Sequence, residues 1–329
     1  MNKGDIIGGY RVLQDFQTVG GGLSKWTFAE KAGKEHFIKE FLAPTYPAAD
    51  SPGSEKTKIA KRRECELFEA HHRLLIQKLS HRSSGGGNLI VTTDFFRNGA
   101  KYYKVTDKVD VSTLTATQIA ALSWEKKKLI LLTVAHSLQI LHREDVVHGD
   151  LKPGNILIKE SRGGFVAKLI DFDNSYVSGQ PVNESEMVGD QVYCSPEALL
   201  YITQSPRADP RKLQLSSDIF ALGLIYAEYL TGRLPQFDTG RYQYPAEAVL
   251  DGHRLEVSEI GEMLSHLLAR MLDGDYTRRP PIGEVFEIIK SEATAAPAAA
   301  GRLGGTLITR ASRTVTAPQL SGSLIKRKS

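Results

Sequence analysis

Asp150, Lys152 and Asn155 share the short stretch His148-Gly149-Asp150-Leu151-Lys152-Pro153-Gly154-Asn155, which lies between the apolar runs Val146-Val147 and Ile156-Leu157-Ile158. A turn between two strand-like runs points a base, a cation and a metal-binding amide at one spot. That combination suits phosphoryl transfer, which needs an oriented nucleophile, charge spread over metal and cations, and water kept out. In such chemistry Asp150 orients and deprotonates a hydroxyl, Lys152 neutralises the moving phosphoryl group, and Asn155 holds a metal ion. A second carboxylate for that ion is available at Asp171, where the apolar approach Leu169-Ile170 ends in Asp171-Phe172-Asp173.

These two stretches resemble the eukaryotic-type serine/threonine protein kinases, whose catalytic loop reads His-Arg-Asp-Leu-Lys-Pro-x-Asn and whose metal loop reads Asp-Phe-Gly. The likeness is closest to the bacterial members. Two departures stand out: Gly149 replaces the arginine and Asp173 replaces the glycine. The resemblance implies an α+β, bilobal fold. Its N-lobe, about residues 1–106, would be a small antiparallel sheet with one long helix; residues 107–112 would be the hinge and 113–292 a larger, mainly helical C-lobe. It further implies ATP and Mg²⁺ (or Mn²⁺) as cofactors, protein hydroxyls as acceptors, including the chain's own, and Asn155 and Asp171 as metal ligands.

The elements that must position these groups follow in chain order. Residues 10 to 42 read as three strands, Tyr10 to Phe16, Trp26 to Ala29 and His36 to Lys39, with Gly20-Gly21-Gly22 between the first two. A glycine loop lets backbone N–H groups approach phosphates closely, and by itself it is equally a hairpin turn. It stands 17 residues before Lys39. By the resemblance, Lys39 would hold the α and β phosphates. Val19 and Ser24 then occupy two glycine positions of the family's loop, and Phe37 stands where a small alanine faces adenine. From Glu55 to Leu79 apolar residues recur at helical spacing. This helix would supply the acidic partner of Lys39; the sequence does not choose between Glu66 and Glu69, and Glu69 is nearer the helix end. Two strands, Asn88 to Phe96 and Lys101 to Thr106, then lead to Asp107, Val109 and Asp110, the hinge whose backbone would meet the adenine edge.

Past the hinge, Ala116 to Leu122 and Trp124 to Leu141 read as helices, the second of which delivers the catalytic loop. His148 reads as structural. Residues 174 to 192 would form the activation segment, closed by Ser195-Pro196-Glu197. With Gly149 in place of an arginine, no catalytic-loop cation would receive a segment phosphate at Ser175, Ser178 or Ser185, so activity without segment phosphorylation is expected. Asp190 stands where the family has a threonine and is placed to pair with Lys152. Asp218, opening Ser217-Asp218-Ile219-Phe220-Ala221-Leu222-Gly223, would bond the catalytic-loop backbone or simply cap its helix. Arg279 is expected to form a buried ion pair with Glu197.

The composition is that of a soluble globular protein: 329 residues, 41% apolar and 24% charged. The net charge of +4 comes from the tail, because residues 293–329 hold six basic residues and no acid, which leaves about −2 elsewhere. Nucleic acid is therefore not an expected partner. Cys65 and Cys194 form no metal or redox spacing, no apolar leader follows Met1-Asn2-Lys3-Gly4-Asp5, and Leu129 to Leu141 is too short and polar to span a bilayer. These features lead us to expect a cytoplasmic protein with no membrane partner. The Ala-, Ser/Thr- and Arg-rich residues 293–329 read as a flexible tail. Thr306, Thr309, Thr314 and Thr316 would be self-phosphorylation sites or docking points for a phosphothreonine-reading partner, against the plainer reading of an idle tether. Two rivals accompany the kinase reading. A pseudokinase or nucleotide-binding scaffold draws on Val19, Ser24, Phe37, Gly149 and Asp173. A small-molecule phosphotransferase of the aminoglycoside or choline type shares the His-Gly-Asp motif but lacks the counterparts of Ser195-Pro196-Glu197, Asp218 and Arg279.

Overall fold

The computed structural model describes residues 2–18, 24–48, 52–80, 88–110, 113–161, 164–184, 187 and 189–292. The glycine run Gly20-Gly21-Gly22, Val19, Ser185 and the tail from residue 293 lie outside these residues.

The N-terminal part begins with β1 (Ile6–Ile7) and β2 (Tyr10–Val12), followed by β3 (Ser24–Lys31) and β4 (Lys34–Phe41). The three strands read from residues 10 to 42 are β2, β3 and β4, and β1 precedes that range. A fourth exists because Gly8 and Gly9 take φ of 57° and 84°, a conformation glycine adopts without a Cβ clash, and fold Ile6–Ile7 back onto β2. Ala32 and Gly33, at φ 53° and 74°, make the tight turn between β3 and β4, whose twist matches that of the flanking strands.

Next comes α1 (Glu55–Leu79), with the bounds that its periodicity suggested. Ser54 caps it by accepting from the Thr57 N–H, Glu55 sits in its first turn and Lys78 in its last, so both charges oppose the helix dipole. With β5 (Thr92–Asn98) and β6 (Lys101–Asp107) the sheet is six-stranded, in the order β1-β2-β3-β4-β6-β5. Its two faces bury different things. Ile38, Val105, Tyr103 and Ala29 meet Ile7, Tyr10 and Val12 on one side. On the other, Phe41 and Tyr102 pack with Cys65 and Phe68 of α1.

The C-terminal part is mainly helical. Its elements are α2 (Ala116–Ala120), α3 (Trp124–His142), β7 (Val146–Val147), β8 (Ile156–Ser161), β9 (Gly164–Leu169), β10 (Tyr176–Val177), α4 (Pro196–Ile202), α5 (Leu215–Thr231), α6 (Pro245–Leu250), α7 (Glu262–Met271) and α8 (Ile282–Ser291). The central helix α5 is buried nearly all round, from Ser217 to Ala227, and its apolar residues join Leu131, Val134 and Leu138 of α3 in the main core. Gly232, at φ 81°, ends α5 with a left-handed cap. Two small antiparallel pairs, β8 with β9 and β7 with β10, lie beside the catalytic loop. A curled antiparallel sheet with one long helix, followed by a helical part, is the α+β kinase-like fold that the motifs implied. Among the described residues no helix is long and apolar enough to cross a membrane.

Candidate active site

The catalytic loop leaves β7 and enters β8 through a single 3-10 turn, Pro153–Asn155. Its shape is imposed from beneath. Asp218, in the first turn of α5 and almost wholly buried, accepts from the His148 N–H at 2.8 Å and the Gly149 N–H at 3.2 Å, and also meets the His142 ring at 3.0 Å. Of the two readings open for Asp218, the loop-backbone contact is the one observed. The ring of His148 contacts the Ile170 carbonyl through Nε2 at 3.1 Å. A carbonyl only accepts, so Nε2 carries the proton and Nδ1 is left to accept from the Asp150 N–H at 3.4 Å. One imidazole thus joins the catalytic loop to Ile170, which links β9 to Asp171.

Around Asp150 the three chemical residues of the loop come together. Lys152 Nζ lies 3.0 Å from Asp150 Oδ2, and the Asn155 amide nitrogen donates to both the Asp150 carbonyl at 2.8 Å and Oδ2 at 3.0 Å. Asp190 contributes its backbone N–H to Asp150 Oδ1 at 3.1 Å, and its carboxylate is 3.9 Å from Lys152. Both contacts of Asn155 use the amide nitrogen, so Oδ1 is the atom left to meet a cation. The Asn155 carbonyl accepts from the Ile170 N–H at 3.0 Å, which fixes the amide beside the start of the metal loop.

At the far side of the cleft, Lys39 of β4 reaches across to Asp171 at 2.9 Å and to Asp173 at 2.6 Å. Lys104, its register partner on β6, also binds Asp173 and lies 3.8 Å from Asp171. Burial pulls the Lys39 pKa down, but the carboxylates of Asp173 and Asp171 outweigh it and hold it above its ordinary value. For Asp173 burial acts upward, and Lys104 with Lys39 holds it well below the usual carboxylate range.

This arrangement corrects the expected acidic partner on α1. Glu69 accepts from Tyr102 Oη at 2.8 Å and lies 3.6 Å from Arg73, while Glu66 is exposed. The buried residues of α1 are Cys65, His72, Leu75 and Leu79; Glu69 borders that strip but is taken up by Tyr102, and Glu66 is on the exposed side, so the carboxylates that Lys39 meets are Asp171 and Asp173. His72 takes the inward place among the rings of Phe41, Phe68 and Phe95, and burial pushes its pKa down to about 3. Reading the sequence alone missed Lys104 and Asp173 as partners. The available signal was a lysine in the middle of the apolar strand Tyr102-Tyr103-Lys104-Val105.

Residues opposite each other on antiparallel strands share a face. The pairings Trp26 with Lys39 and Phe28 with Phe37 therefore put three half-buried aromatic rings on the lysine's side of the sheet. Trp26 and Phe37 stack at 5.6 Å and 26°, and Phe28 meets Phe37 edge-on at 6.0 Å. At the hinge, the Asp107 carboxylate is held by Lys34 at 2.7 Å, Lys108 pairs with Glu35 at 2.6 Å, and Val109 is half-buried between exposed neighbours.

The donor set fits a hard divalent ion bound with a nucleotide. Such ions take one or two protein oxygens, the remainder coming from water and phosphate. Asp171, whose side chain is 35% exposed, and Asn155 Oδ1 are of that kind. Among the described residues there is no cluster of three or more His, Cys, Asp or Glu that would make an all-protein metal cage.

The protein kinase domain profile matches residues 57–288, well over half of the sequence. The chain belongs to the protein kinase domain family. Similar curated proteins include a probable serine/threonine-protein kinase of Dictyostelium discoideum, 26% identical over 201 residues, covering 60% of this chain and 30% of the relative. A serine/threonine-protein kinase of Arabidopsis thaliana is 25% identical over 202 residues, 61% of this chain and 31% of the relative. The serine/threonine-protein kinase PknA of Corynebacterium glutamicum is 35% identical over 103 residues, 31% of this chain and 19% of the relative. The chain thus spans less than a third of the length of each.

Within this kinase domain, Glu197 and Arg279 form the expected buried pair, with two parallel contacts of 2.7 and 2.9 Å. Ser217 adds a hydrogen bond to the carboxylate, and the guanidinium also donates to the Asp273 and Ser216 carbonyls. Ser175, one of the activation-segment serines, is fully buried and donates to the His148 carbonyl at 2.9 Å.

Proposed function

We propose that this kinase domain transfers the γ-phosphoryl group of ATP to serine and threonine hydroxyls of protein substrates, its own chain among them. Asp150 accepts the proton of the incoming hydroxyl as its oxygen attacks the γ-phosphorus, and the bond from that phosphorus to the β–γ bridging oxygen breaks, releasing ADP. Lys152, in contact with Asp150, faces the charge that builds on the transferring group. Lys39 holds the phosphates of the nucleotide, and Asn155 and Asp171 hold Mg²⁺, or Mn²⁺. The ion, when bound, neutralises charge on the leaving phosphate. The observation that carries the reading is the Asp150 carboxylate contacting Lys152 and Asn155 at once, the loop being held by Asp218.

The nucleotide-binding scaffold is the second reading, favoured by the stacked Trp26–Phe37 pair on the lysine's side of the sheet. Incubation with Mg²⁺ and γ-labelled ATP, with casein as acceptor, separates the two. Label on casein or on the chain itself is expected, and Asp150→Asn, which keeps shape but removes the base, should lower the rate at least roughly a hundredfold. A nucleotide-induced rise in melting temperature without any label transfer would establish the scaffold instead.

A further inference from the structure

Lys39 is the group a kinase domain must hold still, and α1 offers it no carboxylate. An inward residue of that helix, His72, is caged by aromatic rings and 5% exposed. The lysine is nevertheless fully engaged. Its shortest contact, 2.6 Å, runs to Asp173, two residues beyond the carboxylate expected to serve a metal ion. Asp173 uses its other oxygen, Oδ1, on Lys104. All three side chains are largely out of water, at 10%, 5% and 18% exposure for Lys39, Lys104 and Asp173.

Two lysines and two aspartates make this buried cluster neutral, and buried charge persists only when it is paired. The cluster is also made by the fold. Register sets Lys39 opposite Lys104 on adjacent strands, so two like charges face one side of the sheet and need a bridging anion. The metal loop can supply it because Asp171 takes the left-handed conformation, φ 62°, and starts the 3-10 turn Phe172–Asn174. Position 173 lies inside that turn and has no positive φ, so nothing in the backbone there calls for glycine.

We propose that Asp173 is the positioning residue for Lys39, anchoring it from the metal loop in place of a glutamate on α1, with Lys104 as the second cation that holds Asp173 in place. Lys39 also contacts Asp171, at 2.9 Å, so a metal ion that draws Asp171 away would leave the lysine with a carboxylate of its own in Asp173. The lysine's placement is thereby tied to the metal loop and not to the position of α1. The kinetic consequences of this inference rest on the phosphotransferase reading above; the pairing itself does not.

Both parts are testable on the full chain. For the pairing, the melting temperatures of wild type, Lys39→Met, Asp173→Asn and the double variant form a cycle. The double variant is expected to melt several degrees higher than the two single shifts added together would predict; additive shifts would overturn the pairing whether or not the chain transfers phosphate. For the positioning role, Asp173→Asn and Asp173→Gly should each lower kcat/KM for ATP by roughly a hundredfold, the loss of a correctly placed phosphate-binding cation. The combination His72→Glu with Asp173→Gly should recover at least about tenfold of that loss, because it returns a carboxylate to the lysines from the inward face of α1. Wild-type kcat/KM in Asp173→Asn would overturn the role, and so would a double variant no better than Asp173→Gly. A wild-type chain that transfers no phosphate would refute the proposed function alone, leaving the melting cycle to decide the pair.

Discussion

Gly149 is the position where this chain departs most visibly from the kinase pattern, and its geometry sets a measurable cost for any side chain. The residue has φ of 77°, and a Cβ built on it would lie 2.2 Å from the Asn174 carbonyl oxygen and 3.1 Å from the Tyr176 ring. Gly149→Ala therefore meets two penalties. Placing an L-residue in the left-handed region costs about 1–2 kcal/mol, and relieving an overlap with backbone in a packed interior costs about 1–3 kcal/mol more. The sum, about 2–5 kcal/mol, corresponds to a melting shift of roughly 3 to 8 °C for a domain of this size. Asn174 directly follows Asp173, so the carbonyl that must retreat belongs to the turn that carries both aspartates, and ATP turnover should fall along with stability. The assay is thermal melting without nucleotide, with Gly154→Ala as control: Gly154 has no positive φ and nothing lies within 4 Å of the place an added methyl would take, so that variant should melt like wild type. Gly149→Ala melting within about 1 °C of wild type would refute the close approach and the strain argued from it.

Three further outcomes are expected. Arg279→Met should cost about 3–5 kcal/mol in denaturant unfolding, because Glu197 would be left buried and unpaired; a loss below about 1 kcal/mol would show the pair to be marginal. Glu197 is pushed upward by burial but held below its ordinary value of 4.5 by Arg279. A carboxyl with a folded pKa below its unfolded one contributes stability that is complete above the unfolded value and lost as pH falls through the folded one. Melting temperature should therefore decline below about pH 4.5, and the decline should be shallower in the double variant Glu197→Gln with Arg279→Met. Asp190→Ala keeps the backbone N–H that Asp150 accepts but removes the carboxylate near Lys152, so a rate reduction of roughly threefold to tenfold with unchanged KM for ATP is expected; an unchanged rate would remove Asp190 from the site.

How much of this site was legible before folding depended on how local each relation was. The turn from His148 to Asn155 holds Asp150, Lys152 and Asn155 within a few residues, so a short loop brings them into contact almost wherever it is placed. The bounds of α1 were likewise local, set by Ser54 as cap and by helix-spaced apolar residues, of which Leu75 and Leu79 are buried while Ile59, Leu67 and Leu74 are exposed. Asp218 could be recognised as a helix-start acid, but both its roles were open until the loop above it was seen to donate two N–H groups.

The sequence by itself determined which side chains were present for the proposed phosphoryl transfer and which elements carried them, because those properties follow from residue type and spacing along the chain. Only the tertiary structure decided which carboxylate Lys39 would meet. Helical periodicity defines an apolar strip but not the fine rotation of α1 against the sheet, and that rotation buries His72 while Glu69 turns to Tyr102. Strand register, settled by the packing of both sheet faces, sets Lys104 opposite Lys39. Two buried ammonium groups side by side then require the carboxylate of Asp173, a partner 134 residues away from one and 69 from the other.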